Sequence, residues 1–580
     1  MTALDVVPRP RRAKTTGDAV SLTLPFGLAA DARVDSTVIA LLERLLERET
    51  NDPDATVRAS EGDADVRLVL ADEASDAFDD PEGYVLEVDE DGVTIKATTE
   101  TGLRRGCQTL VTALSTAAEA GEGPAVDWEL PACTVEDWPS TSWRGFMVDP
   151  ARGYLQIDRV KRRIDQAARA KYNRLHIHLL DDEGYALESQ AYPKLNQDLD
   201  GTERRAYSPA DVEELVDYAD RRGIEILPEV DVPAHAEHVL ERYPELQCTV
   251  EDGEPADRTI CIGTEETYEF VETLLEEVIE LFPFDAVHIG GDEWEMHGHS
   301  WDECSACAEK MAADGSESDT EHFYAFVRHL HDFLDERDRR TMMWNDQIDI
   351  SESPDLPRDI QIQFWRVAAH GRGPVEGCSM ERFLEEGFEV VNSYVYAAYV
   401  RGWISEDYML GWAPRRRPTV PADRESQVVG GELLAWEPSS VVRRKYFERA
   451  LPSAIPIFAD RLWNGSPVED REEFAQSVTR HAVGPYVPDG FDMYSELGGI
   501  IAPTWWKRDV GTLLAHVNSS LGDRSAPEAE TDYRKTIEML TDLREAKEVV
   551  YGETASAYVE ALEWLVEVAE NESRGVLDRP

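Results

Sequence analysis

The chain has 580 residues, which is more than one hydrophobic core usually holds together, so we expect at least two domains. It carries 117 Asp and Glu residues against 58 Lys and Arg residues, a formal net charge of -59 at pH 7. Because so acidic a surface repels phosphates, we expect neither a nucleic-acid partner nor a membrane partner.

The acidic excess runs along the whole chain and is typical of proteins that work in molar salt. At 1 M salt the Debye length falls to about 3 Å, so repulsion between surface carboxylates is screened. We therefore predict a protein from an extreme halophile that loses structure at low ionic strength. No secretion signal and no apolar run of about 18 residues is readable, so we expect a cytoplasmic location.

In chain order, residues 1–20 are predicted to be a disordered tail and residues 21–137 a small α+β domain. The domain is indicated by strand-like runs followed by one helix-like run: VRLVLA, GYVLEV, GVTIKA and TGLRRGCQTLVTALSTAAE. At the other end, residues 475–580 include a strongly amphipathic stretch and are predicted to form a helical region.

Between these regions, residues 138–474 alternate short apolar runs with longer segments of helical period, which predicts a (β/α)8 TIM barrel. The eight candidate strands are WRGFMVDP, NRLHIHLLDD, IEILPEVDVP, AVHIGGDEW, TMMWNDQI, IQIQFW, FEVVNSY and VVGGELLAW. Their carboxyl ends should converge on one face of the barrel, where such folds place their chemistry. Nearly all of them end in polar or aromatic residues.

The fourth candidate strand ends in two adjacent acids, Asp292 and Glu293, which follow Gly290 and Gly291. Neighbouring residues of a regular strand point to opposite faces, so both acids can serve one substrate only if the strand turns there. Glycine permits such a turn and close approach of a ligand. Two carboxylates in one pocket do not both ionise readily, so the pair is suited to acid and base roles.

Aromatic residues are concentrated at the same strand ends, and an arginine, Arg144, lies in the first candidate strand. Sugars pack their C–H faces on aromatic rings and bind charged groups through their hydroxyls. The set therefore favours a carbohydrate ligand. Its aromatic members are Trp294, Trp344, Trp365, Tyr396 and Trp436.

The order of these motifs resembles glycoside hydrolase family 20, the β-N-acetylhexosaminidases. The resemblance covers about residues 144–440, and the most specific motif is HIGGDEW. The other motifs are RGFMVD, KYNRLHIHLLDDEGYALES, LPEVDVPAH, MMWND, IQFW and GGELLAW. The α+β domain also resembles the domain that precedes the barrel in this family.

The resemblance implies a retaining exo-β-N-acetylhexosaminidase that removes terminal N-acetylglucosamine or N-acetylgalactosamine, as in chitin or amino-sugar degradation. The substrate's own acetamido oxygen attacks C1 and forms an oxazolinium ion, one of the exceptions to the two-carboxylate scheme. Glu293 corresponds to the general acid and base, and Asp292 to the residue that orients the acetamido N–H. No cofactor and no metal is implied for this reaction, whose partner is an oligosaccharide or glycoside substrate.

The remaining site residues are also assigned by resemblance. Arg144 would bind sugar hydroxyls, and Asp181 and His235 would support the acid. Tyr396 would bind the acetamido oxygen, although Tyr399 fits nearly as well. The aromatic walls and the acid that follows them would be Trp344, Trp365, Trp436 and Glu437.

Two departures from the family pattern concern the outer hydroxyls of the sugar. The Asp or Asn that normally comes two places after the tyrosine is Ala398 here, or Arg401 if Tyr399 is the match. The family's final acid comes one place early, at Glu437. Recognition at O4 and O6 is therefore expected to differ, whereas the catalytic pair is intact.

The seven cysteines are an odd number, which argues against a disulfide framework. Cys304 and Cys307 form a CxxC close behind His297 and His299, and Cys248 and Cys261 lie upstream. Such a group suits structural zinc, and reduced thiols on a loop are the alternative.

Two other functions remain open at this stage. His176, His178, His235, His288 and Asp292 are also the ligand types of a metal-dependent amidohydrolase barrel. A non-catalytic N-acetylhexosamine-binding protein is the second alternative.

Overall fold

The fold is described from a computed structural model of the chain. It describes residues 4–478 except for these positions: 24, 51–55, 59–63, 73–75, 118–126, 200, 203, 251–257, 295–299, 351–354, 367, 370–372, 375–378, 401–405, 417, 419, 438–440, 470, 472–473 and 475–476. The helical region expected over 475–580 lies almost entirely outside these residues.

The N-terminal part is a seven-stranded mixed sheet with two helices. Its strands are β1 (Arg12–Thr23), β2 (Phe26–Ala30), β3 (Thr56–Arg58), β4 (Val66–Leu70), β5 (Tyr84–Asp89), β6 (Gly92–Ala97) and β7 (Asp127–Asp137). They are ordered β1-β7-β5-β6-β4-β2-β3 across the sheet. The helices are α1 (Ser36–Thr50) and α2 (Glu100–Ala117), and apolar side chains of α1, α2 and the sheet form one hydrophobic core. This is the predicted α+β domain.

Residues 4–20 do not form a disordered tail. Strand β1 pairs antiparallel with β7, and Leu4, Val6 and Val7 are buried. Arg9 donates to Asp460 from its backbone at 2.7 Å and from its guanidinium at 3.0 Å. The polar composition of this segment concealed its long-range partners, which only the folded chain brings near.

Eight parallel strands close into a ring, as predicted. They are β8 (Trp143–Val148), β9 (Arg174–His178), β12 (Glu225–Glu229), β13 (Ala286–His288), β14 (Arg340–Trp344), β15 (Gln361–Phe364), β18 (Val390–Asn392) and β20 (Val428–Ala435). Each strand pairs with the next, and β20 pairs with both β18 and β8, which closes the barrel. Short additional strands are β10 (Leu180–Asp181), β11 (Gly184–Tyr185), β16 (Ala368–Ala369), β17 (Gly373–Pro374) and β19 (Tyr399–Val400).

Helices lie between the barrel strands along the chain. They are α3 (Ile157–Arg169), α4 (Pro209–Asp220), α5 (Glu237–Arg242), α6 (Glu265–Leu281), α7 (Ser305–Asp314), α8 (Asp319–Asp335), α9 (Met380–Glu385), α10 (Val395–Ala398), α11 (Glu406–Gly411) and α12 (Val441–Asn464). Helix α4 begins where Ser208 and Asp211 form a reciprocal capping box and proline occupies the first turn. Helix α6 buries an apolar stripe that includes Phe270, Leu274 and Val278.

The amino-terminal end of the barrel packs against the N-terminal domain through buried ion pairs. Arg144, the second residue of β8, and Arg105 of α2 both bind the carboxylate of Glu82. Burial opposes ionisation of Glu82, but the two guanidiniums outweigh it and lower its pKa to about 2. Lys171 binds Asp137 at 2.8 Å in the same interface.

No described helix is both long enough and apolar enough to cross a bilayer.

Candidate active site

The fourth barrel strand, β13, ends in a sharply turned segment. Gly290 and Gly291 have φ values of 70° and 89°, and Glu293 has a φ of 53°. A Cβ on Gly290 would lie 1.7 Å from Oδ1 of Asp231, so only glycine fits beside that carboxylate. Positive φ at a non-glycine residue such as Glu293 costs of order 1–3 kcal/mol and is typical of functional sites. The turn predicted from the two glycines is therefore present.

Because of this turn, Asp292 and Glu293 reach the same imidazole. Nε2 of His235 lies 3.8 Å from Oδ2 of Asp292 and 3.5 Å from Oε2 of Glu293. His235 also has a positive φ, 53°. Two adjacent acids thus meet at one imidazole near the carboxyl end of the barrel, with different surroundings.

Asp292 is the more buried acid of the pair. Burial raises its pKa to about 7, His235 opposes the shift, and Asp346 and Glu293 add to it. Within the described part of the chain, its Oδ1 is buried and has no hydrogen-bond partner. An unsatisfied buried carboxylate oxygen is a strong acceptor for a ligand N–H.

Glu293 is more open to the pocket, with a side chain that is 20% exposed. Its Oε1 lies 3.6 Å from Nη1 of Arg366, and its backbone N–H donates to Asp346 at 3.3 Å. Arg366 also binds Asp346 at 2.5 Å. The sequence pattern assigned no role to Arg366. The only indication of a role was its position shortly after barrel strand β15.

A buried chain of imidazoles and carboxylates continues from His235 into the barrel. Nδ1 of His235 lies 3.2 Å from Asp181, and Nε2 of His178 lies 2.9 Å from the other oxygen of Asp181. The second ring nitrogen of His178 contacts Glu229. Burial disfavours the charged form of His235, but Asp292, Asp181 and Glu293 outweigh it and hold its pKa well above the usual value. The surrounding carboxylates thus favour the charged form of His235, which lies beside Glu293.

The contacts of these histidines also test whether the site could be that of a metal-dependent amidohydrolase. Both ring nitrogens of His178 contact carboxylates. In this arrangement neither nitrogen is available to bind a metal ion. His176 and His288 lie deeper in the barrel and are fully buried, with Glu229 near both. These three histidines connect acids in the barrel interior, whereas His235 lies with Asp231 and Asp292 in a group whose possible ligand atoms are all within 4.8 Å of one another.

Arg152, and not Arg144, lies beside Asp181 and Trp436 at the carboxyl end of the barrel. Arg144 is buried at the opposite end, where it donates to the carbonyls of Thr141 at 2.6 Å and Lys171 at 2.9 Å. Arg152 lies beyond the end of β8, 2.7 Å from Asp181 and with its guanidinium 4.4 Å from the ring centre of Trp436. Arg144 is near the beginning of strand β8, whose residues advance about 3.3 Å each, so it lies too far from the carboxyl end to reach a sugar there.

The predicted aromatic walls are brought together, and the structure distinguishes the two candidate tyrosines. Tyr399 is 9% exposed and stacks on Trp365 with ring centres 5.7 Å apart and an interplanar angle of 22°. Its ring also lies 5.7 Å from that of Trp436. Tyr396 is 54% exposed and contacts the ring of Tyr394. Of the two candidates, Tyr399 therefore packs within the aromatic cluster, whereas Tyr396, the predicted choice, is exposed.

Two of the other predicted walls, Trp344 and Trp365, are held by buried acids. The indole N–H of Trp344 donates to Glu229 at 2.8 Å, and that of Trp365 donates to Asp346 at 3.0 Å. Trp436 lies between Trp344 and Tyr399, with its ring centre 6.1 Å from that of Trp344. These bonds fix ring orientation, which a sugar-binding platform requires.

Glu437 lies at the same mouth and is 3% exposed. Its backbone N–H donates to Oδ2 of Asp149 at 3.2 Å, at the end of β8. Burial raises the pKa of Asp149 to about 6, against the opposing charges of Arg152 and His178. The alternative outer-hydroxyl position Arg401 lies outside the described residues, while Ala398 is buried and carries no polar side chain.

Comparison with known proteins identifies two family regions. Residues 142–466 match the family described as glycosyl hydrolase family 20, catalytic domain, and residues 3–138 match its domain 2. The beta-hexosaminidase subunit A1 of Dictyostelium discoideum is 26% identical over 85% of this chain and 92% of its own length. A Porphyromonas gingivalis beta-hexosaminidase is also 26% identical, over 69% of this chain, which spans only about half (53%) of that relative.

A solved structure supports the same grouping. The N-acetyl-beta-hexosaminidase of Streptomyces plicatus, in complex with thio-NAglucal, is 25% identical. It superposes with a TM-score of 0.66 over 84% of this chain and 95% of that protein.

Proposed function

The chain belongs to glycosyl hydrolase family 20, and on this premise we propose that it is a retaining exo-β-N-acetylhexosaminidase. It would hydrolyse terminal N-acetylglucosamine or N-acetylgalactosamine. One observation carries the proposal above the rest: Asp292 and Glu293 contact a single imidazole from a broken strand end, and Oδ1 of Asp292 has no hydrogen-bond partner among the described residues. A related Streptomyces plicatus enzyme is known in complex with the product GlcNAc.

In the first step the acetamido oxygen of the substrate forms a bond to C1 while the bond from C1 to the leaving oxygen breaks. Glu293 gives its proton to that oxygen, and the sugar is left as an oxazolinium ion. Ionised Asp292 accepts the acetamido N–H, which orients the group and stabilises the positive charge that develops on it.

In the second step Glu293, now ionised, removes a proton from water as the water attacks C1. The oxazolinium ring opens, the acetamido group is restored, and the β configuration is retained. Protonated His235 supports this exchange, because its positive charge lies beside Glu293 in both states of that carboxyl. Asp181 holds His235 from behind at 3.2 Å.

The sugar ring would lie against Trp436, with the acetamido group between Trp344, Trp365 and Tyr399. The Tyr399 hydroxyl is the proposed donor to the acetamido oxygen, and Arg152 the proposed contact for sugar hydroxyls. Both assignments are supported by position at the barrel mouth, where Trp436 contacts Tyr399 and Arg152.

Substrate assistance has a specific test. We expect release of nitrophenol from aryl N-acetyl-β-glucosaminides and N-acetyl-β-galactosaminides in molar KCl, and none from the matching β-glucoside, which lacks the acetamido group. Each fluorine added to the acetyl group weakens the attacking oxygen, so kcat/KM should fall stepwise along the fluorinated series. A rate independent of fluorination would indicate an enzyme nucleophile and overturn the mechanism.

The charge of the chain supports a second part of the proposal, adaptation to a cell interior with molar salt. With a net charge of -59, the folded state is expected to be destabilised by self-repulsion when salt is removed. The thermal midpoint should rise between dilute buffer and molar KCl, and sorbitol at matched osmolality should not reproduce the rise. A midpoint independent of KCl would contradict this adaptation.

A further inference from the structure

Four cysteines meet in a cluster separate from the acids of the active site. Cys248 follows α5, Cys261 precedes α6, and Cys304 and Cys307 lie at the start of α7. Each is at most 2% exposed, and their four sulfur atoms all lie within 4.8 Å of one another. The fold brings these residues together from segments up to 59 positions apart.

The spacing of the sulfur atoms matches the coordination shell of one metal ion. The measured Sγ–Sγ distances are 3.4 Å for Cys261 and Cys307, 3.8 Å for Cys261 and Cys304, and 3.9 Å for Cys248 and Cys307. Zinc holds thiolates at about 2.3 Å in a tetrahedron, whose edge is then about 3.8 Å. A disulfide needs about 2.05 Å between sulfurs, and all four cysteines are free thiols in this structure.

We propose that this cluster binds one structural zinc ion with Cys248, Cys261, Cys304 and Cys307 as its four ligands. All four positions of a tetrahedral ion are filled by protein, so no place is left for water or substrate and the site is not catalytic. Binding converts four thiols to thiolates and releases their protons to solvent. His297 and His299, the neighbouring imidazoles in the sequence, lie outside the described residues, and the four sulfurs complete the ligand set without them.

The zinc site would join the loops on both sides of the catalytic acid. Val250 pairs with Cys304 and Gln247 pairs with Ile260 in isolated β-bridges, so the cluster links the loop after α5 to the start of α7. Ile260 also donates to the carbonyl of Pro233 at 2.9 Å, two residues before His235.

Trp301 lies shortly before Cys304 in the sequence. Trp301 stacks on Trp294, the residue after Glu293, with ring centres 4.6 Å apart and an interplanar angle of 22°. Packing in the cluster is tight, because a Cβ on Gly263 would lie 2.3 Å from the backbone nitrogen of Cys307. The metal would therefore stabilise the positions of His235 and Glu293 without touching substrate.

Elemental analysis of the full-length wild-type protein is the primary test. The protein is expressed with added zinc and purified in molar KCl without chelator. We expect one zinc per chain, released when an organomercurial titrates the thiols. Replacement by cobalt should give the thiolate-to-metal charge-transfer absorption of a tetrahedral thiolate site. Zinc in only a small minority of chains, iron in its place, or two disulfides by mass spectrometry would each overturn the proposal.

Serine variants provide the matched comparison. Cys261→Ser and Cys304→Ser should lose the zinc and unfold at lower temperature, while Cys107→Ser and Cys133→Ser, which alter buried thiols of the N-terminal domain, should keep it. Zinc retained by both cluster variants would contradict the ligand set. If the cluster variants do not fold, the wild-type zinc and cobalt measurements still decide the question.

Discussion

Both ends of the barrel bury ionisable carboxyl groups, but the partners and pKa values of these groups differ. At the amino end, Glu82 binds two guanidiniums and its pKa is lowered to about 2. At the carboxyl end, Asp292 keeps a buried oxygen without a hydrogen bond in the described structure, and its pKa is raised to about 7. Glu293 and His235 add positive φ values there. Charge at the amino end is neutralised for stability, whereas charge at the carboxyl end is left available to a substrate.

The largest effect is expected at the carboxyl end, from Glu293→Gln. Loss of general acid catalysis should lower kcat/KM on an alkyl or nitrophenyl N-acetylglucosaminide by about 10²–10⁴-fold. A dinitrophenyl glycoside needs little protonation of its leaving group and should lose much less. The thermal midpoint of the variant, measured beside the rates, checks that it is folded. An equal loss on both substrates would contradict the role of general acid.

Asp292→Asn should lower kcat/KM by roughly 10²-fold, similar to the loss of one preorganised charge-stabilising group. The wild-type value should fall as the pH decreases through about 7, because protonated Asp292 cannot accept the acetamido N–H. The Asn variant should lack this limb of the profile.

The thermal midpoint of Asp292→Asn is a second measurement, of stability rather than activity. Since the pKa of Asp292 is raised from its usual value of 3.8 to about 7 in the fold, the native state loses stability through this group as the pH rises between these two values, and the full loss is present at pH 8. The thermal midpoint of Asp292→Asn at pH 8 should therefore be unchanged or higher. If kcat/KM of Asp292→Asn still falls as the pH decreases through about 7, the fall belongs to the titration of another group.

A pair of arginine variants contrasts the two ends directly. Arg144→Ala leaves Glu82 short of a partner in a buried site and should destabilise the fold by about 3–5 kcal/mol, with kcat/KM preserved below the unfolding temperature. Arg152→Ala should mainly raise KM. Denaturant unfolding and initial rates measure both, and a large KM effect from Arg144→Ala with normal stability would restore its predicted sugar contact.

The smallest effect is expected from a tyrosine pair. Tyr399→Phe removes one hydroxyl from the aromatic wall, and a hydrogen bond of about 1–1.5 kcal/mol corresponds to a loss of roughly tenfold in kcat/KM. Tyr396→Phe alters a side chain that is 54% exposed and should leave the rate unchanged. The opposite ranking would place Tyr396 in the pocket.

Local pattern was sufficient for most of the fold and for the acids. The eight predicted runs are the eight barrel strands, because alternation of apolar runs with helical periods is a short-range signal. The broken strand end was readable from Gly290 and Gly291, whose missing side chains permit the turn. The family motif then distinguished the expected roles of Asp292 and Glu293.

By itself, then, the sequence determined the strand order, the barrel and the position of the acid pair, since each depends on residues close together in the chain. Only the tertiary structure chose Arg152 over Arg144, and Tyr399 over Tyr396, because these choices depend on which end of a strand and which side of a loop face the pocket. It also paired the first strand with β7 and gathered four cysteines from distant loops. Such contacts form between residues far apart in sequence, where no periodicity records them.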